Sequence, residues 1–215
     1  MRHWMIKIAI ALFTLSLVCI PQNANAESNN RIQTKSVSAK ELKLHDNMRK
    51  LWIEHAVYTR DYIKSALAGL EDQEVVLARL LKNQKDIGNA IKPFYGKAAG
   101  DQLGQLLTDH IVIAGKLVAA IKSNDQVSMT KFNKEWYKNA DDITAFLSKA
   151  NPYWKKDEIK NMLYMHLQQV SDVVSARFKK DWNADIKAFD HGTAHLIQFA
   201  DVLSKGIMKQ FPQKF

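Results

Sequence analysis

Downstream of residue 26 the chain holds three prolines, Pro93, Pro152 and Pro212, and each stands at the end of a long segment with helical periodicity. Proline cannot continue a helix and cannot donate to a strand ladder, so these positions punctuate the chain. Between them apolar residues recur at helical spacing, as in Leu44, Met48, Leu51, Tyr58 and Tyr62. No stretch alternates apolar and polar long enough to form a strand. The fold is therefore all-α. Six helices are expected, at about 39–68, 73–92, 101–122, 127–149, 157–180 and 183–210. Short connections force sequential neighbours to lie side by side, giving an antiparallel six-helix bundle built from three helical hairpins.

The first 26 residues are expected not to join that bundle. Arg2, His3 and Lys7 precede the apolar run Ile8–Ile20, and Ala24-Asn25-Ala26 supplies a cleavage signature. This is the pattern of a secretory signal peptide, with an apolar run too short to span a bilayer. A lipoprotein would be acylated at Cys19, but Val18 stands where a lipobox places a small residue. Cleavage after Ala26 leaves a polar lead-in (27–38) and one domain (39–215). Cys19 is the only cysteine, so the mature chain has neither disulfide nor thiolate chemistry. No later apolar run approaches 18 residues, so none is expected to cross a membrane.

Without Arg2 and Lys7 the chain keeps 29 basic and 22 acidic residues, a net charge of +7. For a secreted or cell-envelope protein the polyanions at hand are anionic membrane surfaces and phosphate-rich wall polymers, not nucleic acid. Tyr153 and Trp154, beside Lys155 and Lys156, are candidates for such contact.

One polar phrase recurs. "KNQKDI" begins at Lys82 and "KNADDI" at Lys138, and each leads through an apolar run to a proline with aromatics. A histidine precedes each phrase in a similar setting: "LWIEH" ends at His55 and "LLTDH" at His110. "MLYMH", ending at His166, heads a third unit that continues to Gln198-x-x-Asp201 and Pro212. The gaps from histidine to Asn or Gln are 28, 29 and 32 residues. In each phrase the Asn or Gln and the Asp are three apart, hence on one helix face. Apolar neighbours turn the histidines inward, where each needs hydrogen-bond partners. One His–Asp or His–Asn bond per hairpin would fix its register.

The same residues admit a metal reading. His191 and His195 are four apart on the last helix, and with His55, His110 and His166 they form a candidate metal set, with Asp86, Asp142 and Asp201 as partners. Nitrogen and oxygen donors favour zinc, iron or copper(II). The Glu-x-x-His signature of carboxylate-bridged diiron bundles is absent, as are phosphate-binding loops, G-x-S-x-G and H-E-x-x-H. The reading is an exported binding or accessory protein of the cell envelope, taking a small ligand or a metal. A metal-dependent enzyme at the same cluster is one alternative. A wall-polymer or membrane-surface protein using basic, aromatic hairpin ends is the other.

The phrases "LWIEHAVYTRDYI", "RLLKNQKDIGNAIKPFYG", "LLTDHI", "WYKNADDITAFLSKANP" and "GIMKQFPQKF" resemble a family of exported helical proteins from spore-forming Gram-positive bacteria. The resemblance covers the mature chain and implies export and a helical fold, with no established activity. Some relatives carry names such as acetylglutamate kinase or glycosyltransferase. This sequence has no nucleotide-binding loop and no α/β alternation to support either.

Overall fold

The computed structural model describes residues 37–215; the expected signal peptide and most of the lead-in lie outside the described residues. Five helices follow in order: α1 (Ala39–Ala68), α2 (Gln73–Lys122), α3 (Gln126–Ala150), α4 (Lys156–Phe178) and α5 (Trp182–Gln210). A short 3-10 turn, Pro212–Lys214, closes the chain. Among the described residues there is no strand.

The count of six is corrected to five because Pro93 does not stop the second helix. It lies inside α2, in the last turn before Gly96, where it withdraws the N–H that would bond the carbonyl of Asn89, and the arm ends within three residues. The interruption is Gly96, whose φ of 82° and ψ of 170° belong to a region essentially reserved for glycine. There α2 reverses. A Cβ on Gly88 would stand 2.4 Å from the carbonyl oxygen of Gly100 and 2.9 Å from Cα of Gly104. The spacing Gly100-x-x-x-Gly104 thus serves the close approach of two backbones. By length and composition α2 also contains a stretch apolar enough to cross a membrane, with mean hydropathy 1.3. Of that stretch 39% is buried, and α2 packs against α1 and α3.

The other boundaries follow local chemistry. Ser38 and Glu41 form a capping box at the start of α1, with bonds of 2.7 and 3.0 Å. Gly69, at φ 69°, ends α1 in the left-handed conformation. Asp125 and Asp181 cap α3 and α5 by accepting from the backbone N–H of Ser128 and Ala184.

Each helix packs on the next, and α5 closes back on α1. Met48, Ile87, Trp136, Ile143, Leu167 and Phe199 are among the fully buried side chains of the enclosed core. Burying one such side chain stabilises the fold by about 1.5–3 kcal/mol. The turns at 69–72, 123–125 and 179–181 share one end. Lys122 Nζ there donates to the carbonyl of Ala66 at 2.6 Å, and Asn124 and Phe178 line one cleft. The reversal at Gly96, the 151–155 turn and the C-terminal residues share the opposite end.

Candidate functional site

The inward histidines meet at mid-bundle. His55 on α1, His110 on α2 and His166 on α4 are 2%, 3% and 6% exposed. Nε2 of His55 stands 3.4 Å from Nε2 of His166, and the His110 and His166 rings stack with centroids 6.2 Å apart. Burial drives all three below the usual imidazole range: His55 to about 3, His110 to about 4, and His166 well below its ordinary value. At neutral pH the layer is uncharged.

Its protons follow from the partners. Asn139 donates from Nδ2 to the carbonyl of Leu106 (3.1 Å), so its Oδ1 accepts from His110 Nδ1 at 2.7 Å. Gln84 Nε2 faces His55 Nδ1 at 3.3 Å while its hydrogens also serve the Leu80 carbonyl at 2.9 Å and Asn83 Oδ1 at 3.1 Å. Asn83 does not bond a histidine. Its Nδ2 donates to the carbonyl of Leu51 at 3.0 Å. His195 does the equivalent in the last hairpin, with Nε2 2.8 Å from the carbonyl of Met162. In all three cases the bonded carbonyl lies four residues before the histidine of the layer.

The expected His–Asp pairs do not form. Asp86 and Asp142 bond Lys82 and Lys138 one turn away on their own helices, each at 2.7 Å. Asp201 holds Arg49 through two bonds of 2.7 Å and faces His45 at 3.0 Å; the Arg49 guanidinium keeps its carboxyl below the usual range. Gln198 and His191 are exposed, so His191 joins neither His195 nor the layer. His195 is buried but spent on Met162. Among the described residues no group of three or more His, Cys, Asp or Glu side chains is arranged to hold a metal ion. The layer offers two converging nitrogens and no carboxylate, a poor match to a dication in a dry interior.

Beside His166 lies a cavity of about 30 Å³ between α1, α4 and α5, room for one or two waters. Thr59 Oγ1, Gln169 Oε1 and Thr193 Oγ1 are buried on its walls and have no protein partner. Sequence reasoning also missed Asp185, which is 1% exposed. It is held by Arg60 at 2.9 Å and Arg177 at 2.6 Å. Residue choice carried a signal: Arg49, Arg60, Arg79 and Arg177 all pair with carboxylates. Arginine's planar fork suits such sites better than lysine.

The two ends differ in chemistry. At the Gly96 end the proline–aromatic phrases interlock. Phe94 stacks on Phe215 with centroids 5.7 Å apart, and Tyr95 meets Phe211 edge-on at 5.2 Å. Tyr95 Oη accepts from Asn151 and donates to Gln210, both at 2.8 Å. Trp154, 1% exposed, donates to the carbonyl of Leu203 at 3.3 Å. Of the patch expected at Tyr153 and Trp154 beside Lys155 and Lys156, Trp154 is buried, and Tyr153 and both lysines are exposed.

At the other end the α4–α5 corner exposes Phe178, Trp182 and Ile186 at 51%, 52% and 49%. Exposed Lys179, Lys180 and Lys187 surround them. Arg60, Arg177 and these lysines outnumber Asp181 and Asp185 by three charges. Exposed Asp190 stands one turn beyond Ile186 on α5, and Glu71, Asp72, Glu74 and Asp125 sit at the other two turns. Lys180 is left-handed at φ 60°, where glycine is usual and an L side chain costs about 1 kcal/mol.

Fold and site together define an all-helical protein with a neutral histidine layer between one closed aromatic end and one open, basic aromatic end. Compared with known proteins, the chain matches no protein-family model, no curated protein and no solved structure.

Proposed function

We propose that this is an exported binding protein of the cell envelope, of the helical family its phrases resemble, that docks through the α4–α5 corner onto an anionic membrane surface. The carrying observation is the half-exposed pair Phe178 and Trp182 set among Lys179, Lys180 and Lys187. Amphipathic rings favour the head-group region. Each lysine near an anionic surface contributes about 1 kcal/mol, screened by salt. Binding is accordingly reversible and salt-sensitive. The histidine layer then acts as scaffold. Each hairpin of a threefold internal repeat is pinned by a bond from Asn83, Asn139 or His195 to the carbonyl four residues before the layer's histidine. In that register the chain is a six-segment bundle of three hairpins, the α2 reversal separating two of its segments, and His195 rather than Gln198 opens the third phrase.

Co-sedimentation of residues 27–215 with phosphatidylglycerol vesicles tests the docking. Binding is expected at low salt, reduced at least tenfold by 0.5 M NaCl or with phosphatidylcholine alone. Equal affinity for both lipids overturns it, and retention by purified wall polymer but not vesicles moves the partner to the wall. Elemental analysis tests the scaffold reading: about one equivalent of zinc, iron or copper, lost in His55→Ala/His166→Ala, would make the layer the functional centre.

A further inference from the structure

Next to the basic corner, α2, α3 and α4 enclose a half-open cleft of about 240 Å³. Its walls are almost wholly apolar, including Leu117, Ile121, Met129, Val170 and Val174, with Phe178 among the lining residues. Native cores contain few voids larger than a water molecule, and an apolar cavity of about 150 Å³ is already large enough to take benzene. This cleft is half open to solvent, so it is an apolar groove at the surface and not a void in the core. Phe178 belongs both to this cleft and to the exposed corner, and the next two residues, Lys179 and Lys180, are exposed. Apolar walls suit an aliphatic chain, and beside them stand the two exposed lysines that follow Phe178 and the exposed carboxylate of Asp125 that follows Asn124.

We infer that the cleft binds the aliphatic chain of an anionic amphiphile, with the head group held by Lys179 and Lys180. The inference rests on the docking reading for its source of ligand, a lipid of the surface that the corner meets. The cleft admits one chain, and its apolar walls offer no pocket for a polar head. A chain seated there would bring Phe178 over it and tie membrane contact to occupancy.

The test uses dodecanoate below its micellar concentration, with no membrane present. One equivalent is expected to bind saturably and to shift the indole N–H resonance of Trp136, a cleft residue. Dodecyltrimethylammonium, with the same chain and the opposite charge, is expected to bind at least tenfold more weakly; this comparison needs no variant. Ala114→Leu/Ser175→Leu, which fills the cleft, is expected to lose dodecanoate binding at least tenfold while keeping vesicle binding through the corner. Absence of saturable dodecanoate binding, or binding unchanged in the filled variant, overturns the cleft proposal even where vesicles bind. Equal affinity for the two head groups overturns the lysine contact. Dodecanoate binding without vesicle binding upholds the cleft and overturns the docking.

Discussion

The two ends of the bundle use the same residue types to opposite effect. At the Gly96 end Phe94, Tyr95, Trp154, Phe211 and Phe215 pack on one another, and Asn151, Gln210 and backbone carbonyls take up their polar groups. Burial pushes the Tyr95 phenol up to about 12. At the α4–α5 end Phe178 and Trp182 stay half in water, and Arg177 lies 5.2 Å over the Trp182 ring. An aromatic side chain is structural where its faces are covered by the core, and is available for recognition where water reaches them. Exposed aromatics of this kind contribute little to stability, so their presence needs another account.

The comparison breaks most directly at Trp154. Trp154→Ala is expected to cost about 3–5 kcal/mol in urea denaturation, whereas Trp182→Ala should change stability by less than about 0.5 kcal/mol. Equal losses would make the open end part of the core. A subtler probe of the closed end is Gly206→Ala. The added Cβ would fall 2.0 Å from Trp154 Nε1, and overpacking of about 1–3 kcal/mol is expected.

Between the ends, acid tests the histidine layer. The folded values of His55, His110 and His166 lie below the unfolded value near 6.5, so the unfolded chain takes up protons first. Stability is fully present above pH 6.5. As pH falls toward 4 it drops with a slope approaching about 1.4 kcal/mol per pH unit for each neutral histidine. Urea midpoints between pH 7 and 4 should show this slope, and His110→Gln should remove about a third of it. A flat profile would mean the histidines are not desolvated. The smallest expected change has two signs. Lys180→Gly relieves the left-handed lysine and should raise stability by up to about 1 kcal/mol, while weakening vesicle binding severalfold. Gains in both would contradict a docking role for the corner.

Much of this was legible in the chain. Periodicity and proline placement gave helix boundaries within a few residues of those observed, except in α2, where the arm runs past Pro93 and Gly96 makes the turn. That glycine looked like part of a loop because Pro93 precedes it by three residues and Gly100 follows it by four, and only the backbone shows the reversal completed in one residue. The inward histidines were legible from their apolar neighbours. The Asn139 partner of His110 follows the expected His–Asn pairing, whereas the partner of His55 was not legible, because Asn83 and Gln84 are adjacent and both buried, and only geometry decides which one reaches His55. Asp86 and Asp142 misled for a physical reason: three residues from an inward Asn is nearly one turn, but not quite the same direction. Each side chain swings out to the lysine one turn before it.

The most direct measurement is tryptophan emission on adding phosphatidylglycerol vesicles. Trp52, Trp136 and Trp154 are 4%, 2% and 1% exposed, against 52% for Trp182; with the cleft beside Trp136 filled by Ala114→Leu/Ser175→Leu, a change of environment on docking should report from Trp182 alone. A blue shift that is abolished in Trp182→Phe, while that variant still sediments with the vesicles, is the expected result. Sedimentation with no shift, or a shift that survives Trp182→Phe, would place the contact elsewhere on the molecule and contradict the assignment of the open end as the docking surface.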